Sequence, residues 1–182
     1  PGRLPFTVHG RGTLPGGRVE VGASASSQFI SNVLLVAARA ETDLELVHVG
    51  EELPSLPHID MTLETLRRAG VEASHEVAAE GRHSWRVACG PIRPLEVVVE
   101  PDLSNAGPFL AAAMVTAGTI AVDDWPETTT QPGDAYRELL ARMGAEVWRE
   151  NEAVCVHGTG AIRGIEADLS ATGELAPTIA AL

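Results

Sequence analysis

The chain has 182 residues, 45% hydrophobic and 21% charged, which is typical of a globular protein and excludes an intrinsically disordered one. Its formal net charge of −12 at pH 7 argues against a nucleic-acid or anionic membrane surface as a partner, because like charges would repel. All 13 basic residues are arginine, so the chain supplies no lysine ammonium for catalysis or phosphate binding.

The composition predicts no disulfide framework, no metal site and no cofactor. Cys89 and Cys155 lie far apart in strand-like runs, and the histidines lack metal-ligand spacing. This cysteine usage fits a reducing cytoplasm best. Neither a run of 18 apolar residues nor a signal peptide is visible. Because the chain starts at Pro1 without a methionine and stops at Leu182 inside an apolar helix, we interpret it as a fragment.

The first predicted elements are an apolar helix within residues 23–38 and a strand at 44–49. A proline-rich loop then leads to Asp60, the predicted N-cap of a second helix that Gly70 ends. Beyond it, the runs VEASHEV and HSWRVAC flank a turn-like AAEGR as a hairpin, and LEVVVE at 95–100 is predicted as a further strand.

The same order of elements begins again at Asp102. It comprises a helix to Ala117, a strand at 119–125, a helix capped by Asp134 and ended by Gly144, and a hairpin turning near Glu150 and Asn151. Written from its first strand the unit is βαβαββ, which predicts an α/β architecture of mixed sheets covered by helices. A composition shift at 100–104 divides the chain, so we assign 1–100 to part of a first globule and 101–182 to part of a second.

A serine-containing segment opens an apolar helix three times and forms an internal repeat. The copies are ASASSQFISNVLLVAA at 23–38, DLSNAGPFLAAAMVTAG at 102–118 and DLSATGELAPTIAAL at 168–182. When the copies are aligned, one position at the head of each helix holds Gln28, Pro108 and Glu174. The first helix of each copy is apolar nearly all round, so we expect it to be buried.

These helix starts favour an anion site. Ser26 and Ser27 precede the first helix, where hydroxyls and unpaired backbone N–H groups can converge on a phosphate or carboxylate, although a plain N-cap is the alternative. Gln28 adds an amide that both donates and accepts. Glu174 can act as a general base near such a phosphate, or it can simply complement the N-terminus of its own helix.

Two further candidates, Ser55 and His58, lie in SLPHID at a strand-to-helix connection. We expect this connection at the same end of the unit as Ser26, although a turn serine and a solvated histidine are the default interpretation. Asp102 and Asp168 are interpreted as structural caps at the ends of strands.

Four segments carry a family resemblance: ASASSQF, PSLPHIDMTLETLRRAGVE, EPDLSNAGPFLAAAMVTAGT and TTTQPGDAYRELLARMGAEV. In this order, and across essentially all of the chain, they resemble the 5-enolpyruvylshikimate-3-phosphate synthase family, most closely its actinobacterial members. The resemblance implies an inverse α/β barrel of two globules, each built of three βαβαββ units, with the active site between them. It also implies transfer of the enolpyruvyl group of phosphoenolpyruvate to the 5-hydroxyl of shikimate 3-phosphate in aromatic amino acid synthesis, by a monomer that needs no metal.

Site residues follow from the same resemblance. The serines that hold the shikimate phosphate correspond to Ser26, Ser27 and Ser55. Gln28 corresponds to a glutamine near both substrates, and Glu174 to an acidic residue that binds the shikimate hydroxyls and accepts a proton. His58 stands where some members have a tyrosine beside the shikimate. The lysine and remaining arginine residues of the family site have no counterparts within these 182 residues.

Two other functions remain open from the sequence. A sister enolpyruvyltransferase acts on UDP-N-acetylglucosamine and carries a reactive cysteine in a loop rich in glycine and proline, whereas Cys89 and Cys155 lie in predicted strands. Alternatively, the repeats form a noncatalytic interaction module with capped helices.

Overall fold

The computed structural model describes residues 4–182, which fall into two compact units. Unit 1 contains the residues up to Ala23 together with Gln28–Glu51 and Thr62–Leu95. Unit 2 contains Ser24–Ser27, Glu52–Met61 and Glu96–Leu182. Two short segments from the first half of the chain therefore group with the second half.

Unit 1 is built around a four-stranded mixed sheet. The elements of the first half of the chain are β1 (Gly17–Val21), α1 (Gln28–Ala37), β2 (Leu44–His48), α2 (Leu56–Arg68), β3 (Ala73–Val77) and β4 (His83–Val87). All of them belong to unit 1 except the beginning of α2, which groups with unit 2 as far as Met61. The strand order is β1-β2-β4-β3, with β1 parallel to β2 and the other neighbours antiparallel. The predicted βαβαββ order and the hairpin that closes it are confirmed.

Alternation along the strands separates the two faces of this sheet. Leu46 and Trp85 are directly paired across β2 and β4, and both are buried, as are Ile30 of α1 and Leu63 of α2. The opposite face is polar: the guanidinium of Arg18 lies 2.8 Å from the carboxylate of Glu45 on the neighbouring strand. One apolar face covered by helices and one polar face account for the fold of this unit.

Unit 2 has a three-stranded antiparallel sheet in the order β5-β7-β6. Its elements are α3 (Leu103–Thr116), β5 (Thr119–Val122), a 3-10 turn (Pro132–Ala135), α4 (Tyr136–Arg142), β6 (Glu146–Glu150), β7 (Ala153–His157), a second 3-10 turn (Ser170–Leu175) and α5 (Ala176–Ala181). Leu110 of α3, Tyr136 of α4 and Leu175 of the second turn are all buried in one hydrophobic core.

Local chemistry sets both ends of α3. Asp102 is its N-cap, as predicted, and accepts a hydrogen bond from the backbone N–H of Asn105 at 2.9 Å. At the other end Ala117 takes a left-handed conformation with φ 50°, and the N–H of Gly118 donates to the carbonyl of Ala113. Gly107 allows α3 to approach α4, because a Cβ there would lie 2.2 Å from the hydroxyl oxygen of Tyr136.

Two predicted caps are wrong. The helix α2 begins at Leu56 instead of after Asp60, because Ser55 turns the chain with a positive φ of 54° and Pro57 is tolerated in the first helical turn. Asp134 lies inside the first 3-10 turn and makes no cap hydrogen bond to the following helix. Its carboxylate instead accepts hydrogen bonds from the indole N–H of Trp125 and from Arg137, each at 2.8 Å.

The predicted strand at 95–100 is also wrong, because these residues adopt no regular secondary structure and pair with neither sheet. The expected burial of the repeated helices fails as well: Phe29 of α1 is 51% exposed and Phe109 of α3 is 66% exposed. Each of these helices has one face on its own core, and its other apolar face is left uncovered within residues 4–182.

The three aligned positions of the repeat are not structurally equivalent. Gln28 is the first residue of α1, but Pro108 lies in the interior of α3 because Asp102 caps that helix well before it. Glu174 lies in a 3-10 turn ahead of α5, since the non-helical backbone of Thr172 interrupts this copy. The alignment therefore overestimated the similarity of the three helix starts.

Candidate functional site

Four of the five predicted site residues belong to unit 2. Ser26 and Ser27 lie in its segment 24–27, Ser55 lies in its segment 52–61, and Glu174 follows in the second half of the chain. The fifth, Gln28, is assigned to unit 1 as the exposed first residue of α1. Residues that are far apart in sequence are thus assembled in one folded unit.

The serine pair ends a tight turn directly before α1. Ser27 is only 3% exposed and Ser26 is half-buried. In the sequence, the turn is flanked by two fully buried apolar residues, Ala23 before it and Ile30 after it. The hydroxyl of Ser27 therefore lies in a shielded position, where a hydrogen bond to an anion is stronger than at an open surface.

Ser55 is held in an unusual backbone conformation. Its φ of 54° is left-handed, a region that costs a residue other than glycine about 1–3 kcal/mol, and its carbonyl accepts a hydrogen bond from the N–H of His58 at 3.1 Å. Such conformations concentrate at functional sites, because the surrounding structure has to maintain them. Ala117, Asp124 and Asn151 share this conformation, so the backbone of Ser55 agrees with its sequence motif but does not by itself identify a site.

Glu174 is positioned by a short irregular segment. Asp168 accepts a hydrogen bond from the N–H of Ser170 at 2.9 Å and so starts the 3-10 turn, as its predicted capping role requires, although no strand precedes it. Leu175 is fully buried in the core and fixes the end of the turn. The Glu174 side chain is 26% exposed, but both carboxylate oxygens are shielded from solvent and accept no hydrogen bond from the described residues.

The structure brings Glu174 together with His58. The Nε2 atom of His58, in the first turn of α2, lies 3.2 Å from Oε1 of Glu174. Tyr136 is close to the same carboxylate: burial raises the pKa of its phenol, and the negative charge of Glu174 raises this pKa further. The hydroxyl of Thr178 lies near that of Tyr136 and opposes the shift without forming a well-aligned hydrogen bond.

Sequence reasoning did not predict these neighbours. His58 was singled out without a partner, and Tyr136 and Thr178 were not singled out at all. No local pattern could have identified them, because α2, α4 and α5 are separated by long stretches of chain. The sequence around Tyr136 is that of an ordinary core tyrosine, and it does not reveal that the carboxylate of Glu174 lies nearby.

Residues 4–182 carry neither a metal-binding cluster nor a membrane-spanning helix. This part of the chain contains no group of three or more histidine, cysteine, aspartate or glutamate side chains placed to hold a metal ion. Over the same residues, no helix has the length and apolar character needed to span a bilayer.

Comparisons with known proteins agree on one family. Residues 2–182 match the sequence model of the EPSP synthase (3-phosphoshikimate 1-carboxyvinyltransferase) family. The 3-phosphoshikimate 1-carboxyvinyltransferases of Kocuria rhizophila, an actinobacterium, and Tropheryma whipplei are 52% and 44% identical to the chain over 180 residues. These alignments cover 98% and 99% of the chain but only 40% of each relative.

Solved structures show the same fold. The EPSP synthase from Acinetobacter baumannii aligns with a TM-score of 0.60 at 22% identity, over 92% of this chain and 37% of that one. The enolpyruvyl transferase NikO from Streptomyces tendae aligns with a TM-score of 0.53 at 19% identity, over 81% and 36% of the two chains. The predicted enolpyruvyltransferase fold class is therefore confirmed.

Proposed function

This chain belongs to the EPSP synthase (3-phosphoshikimate 1-carboxyvinyltransferase) family, and on that premise we propose that it is the central part of an enolpyruvyltransferase. The complete enzyme transfers the enolpyruvyl group of phosphoenolpyruvate to the 5-hydroxyl of shikimate 3-phosphate and releases phosphate. The observation that carries the proposal is the solvent-shielded carboxylate of Glu174, which lies in the unit that also contains Ser26, Ser27 and Ser55.

The serines have the chemistry to bind the phosphate of the acceptor. Hydroxyl groups donate to phosphate oxygens, and the first N–H groups of a helix add further donors with a favourable dipole. Ser26 and Ser27 stand directly before α1, while Ser55 stands directly before α2. Ser27 is buried, and Ser26 and Ser55 are half-buried, so less water competes with a phosphate for their hydrogen bonds. Gln28, next along the chain, supplies an amide for both substrates in this proposal.

Glu174 is proposed as the proton acceptor. The oxygen of the 5-hydroxyl forms a bond to C2 of phosphoenolpyruvate while its proton passes to the carboxylate, and C3 gains a proton to give a tetrahedral intermediate. Loss of a proton from C3 and of phosphate from C2 then restores the double bond. A carboxylate that is shielded from water and accepts no well-aligned hydrogen bond from residues 4–182 is suited to accept a proton from a bound hydroxyl.

The cysteine-dependent alternative has less support from Cys155 than from Cys89. The prediction that Cys89 lies in a strand is wrong, because β4 ends at Val87 and Cys89 is followed by Gly90 and Pro91. Cys155 lies in β7, and burial raises the pKa of its thiol, with the negative charges of Glu150 and Asp123 adding to the effect. A thiol whose pKa is raised carries little thiolate at neutral pH and is a poor nucleophile. Cys155 therefore does not have the properties of a reactive cysteine.

The test is phosphate release by the complete enzyme, supplied with phosphoenolpyruvate and either shikimate 3-phosphate or UDP-N-acetylglucosamine. We expect release with the shikimate acceptor alone. Release only with the nucleotide sugar would assign the sister activity, and release with neither by folded protein would favour a noncatalytic module. Glu174→Gln should lower kcat by about 10²- to 10⁴-fold, the range of general-base catalysis, with the fold unchanged. The exposed Glu166→Gln is the matched control.

A further inference from the structure

The contact between His58 and Glu174 is held from both sides. His58 lies in the first turn of α2, and the next residue, Ile59, is fully buried. Glu174 precedes Leu175, which is also fully buried. Since both backbones are anchored in packed positions, the 3.2 Å separation of Nε2 and Oε1 is a property of the folded unit rather than a chance contact of mobile side chains.

The carboxylate needs such a partner. Both oxygens of Glu174 are shielded from solvent, and an ionised carboxylate in that state is costly unless a charge or donor compensates it. Glu174 faces the imidazole of His58 from α2 and the phenol of Tyr136 from α4. Because burial and the neighbouring carboxylate raise the pKa of the phenol, Tyr136 stays neutral and adds no charge. His58 is the group that can offer a positive charge.

We propose that His58 is a positioning residue for Glu174, holding Oε1 through the 3.2 Å contact with its Nε2 and leaving Oε2 as the oxygen that accepts the proton. The inference rests on the proposed function, in which Glu174 takes the proton of the acceptor hydroxyl. In this arrangement His58 acts through the carboxylate and does not contact the substrate. It fixes the orientation of the carboxylate toward the hydroxyl.

The kinetic test uses His58→Ala and His58→Gln in the complete enzyme. Since a misplacement of about 1 Å can cost about 10²-fold in rate, we expect His58→Ala to lower kcat by about 10- to 100-fold. The KM for shikimate 3-phosphate should change little. Because the substitution removes the imidazole that lies 3.2 Å from the carboxylate, the pH profile of kcat should also change. His58→Gln, which retains a donor of similar reach, should recover part of kcat.

His157→Ala is the matched control, because His157 is also half-buried in unit 2 but pairs with the hydroxyl of Thr119 at 3.0 Å. It should leave kcat and its pH profile unchanged. A raised KM with an unchanged kcat in both His58 variants would make His58 a substrate contact and overturn the proposal. Unchanged kinetics in both would also overturn it. If His58→Ala does not fold, His58→Gln decides through the same KM and pH measurements.

A measurement independent of turnover separates this inference from the proposed function. The ¹⁵N chemical shifts of the His58 imidazole report which ring nitrogen carries the hydrogen. We expect a protonated Nε2 in the wild type and a changed signal in Glu174→Gln. An enzyme that turns over shikimate 3-phosphate but shows no such coupling would disprove the positioning role alone. An enzyme that shows the coupling but no turnover would disprove the proposed function.

Discussion

Gly107→Ala tests the packing that supports Glu174. A methyl group at this position would lie 2.2 Å from the hydroxyl oxygen of Tyr136, 2.4 Å from Cζ and 2.7 Å from Cε2. Ordinary carbon contacts are about 3.5–4.0 Å, so the ring has to move, yet Tyr136 is completely buried. Overpacking of this kind costs about 1–3 kcal/mol, against a gain of about 1 kcal/mol from replacing glycine within a helix.

Because three atoms of Tyr136 lie this close, we take the upper part of the overpacking range, about 2–3 kcal/mol. After subtraction of the gain of about 1 kcal/mol, we expect Gly107→Ala to lower the free energy of unfolding by about 1–2 kcal/mol. Urea denaturation of the complete enzyme measures this, with Gly164→Ala as the control, because a methyl group at Gly164 meets no atom within 4 Å. Adding Tyr136→Phe should recover only part of the loss, since two of the three close contacts are with ring carbons. A Gly107→Ala variant as stable as the wild type would refute the close approach of α3 and α4.

Three further predictions follow from local contacts. Asp102→Ala removes the cap of α3 and should cost about 1 kcal/mol in urea denaturation, whereas an unchanged midpoint would show that the cap contributes nothing. Burial alone would raise the pKa of Asp134, but hydrogen bonds from Arg137 and Trp125 outweigh burial and leave this pKa lowered. The carboxylate therefore stabilises the fold above about pH 4, and this stabilisation is lost as the pH falls further. Asp134→Asn should be less stable at pH 7, by at most about 1 kcal/mol after solvent screening, and a pH series of thermal scans should show no such acid-dependent loss for the variant. Ser26→Ala with Ser27→Ala should weaken binding of shikimate 3-phosphate by about 1.5–3 kcal/mol per lost hydrogen bond, and unchanged affinity by calorimetry would return both serines to plain capping.

Sequence reasoning predicted best those elements whose signals are local. The hairpin of β3 and β4 follows from two alternating runs around a turn, and Asp102 caps α3 because the capping residue and the helix are adjacent. The order of elements from α1 to β4 could be read for the same reason, whereas β1 was not predicted and the strand predicted ahead of α3 is absent. The failures concern partners distant in sequence: Asp134 has the composition of a cap but binds Trp125 and Arg137 instead.

The strand prediction at 95–100 was wrong, and the predicted candidate site was incomplete. Both shortcomings have a related cause. LEVVVE has high β propensity, but a strand exists only when a neighbour pairs with it, and none of the described residues does. Likewise, the sequence motifs identified Glu174 as a site residue but gave His58 no role. The two residues are far apart in sequence, and only the folded structure brings Nε2 of His58 to 3.2 Å from Oε1 of Glu174. Propensity and spacing do not contain that information.

The unpaired segment affects how the chain behaves in solution. Val98 and Val99 are 93% and 86% exposed, and β5 is an edge strand of its sheet. A consecutive run of β-branched side chains without a neighbour can pair with the same run of a second molecule, and such pairing can continue into a cross-β stack. Glu96 and Glu100 flank the valines as gatekeepers, but Glu100 is hydrogen-bonded to Gln131 at 2.7 Å. At the concentrations used for crystallisation or NMR, this segment is therefore the part of the chain from which precipitation would begin.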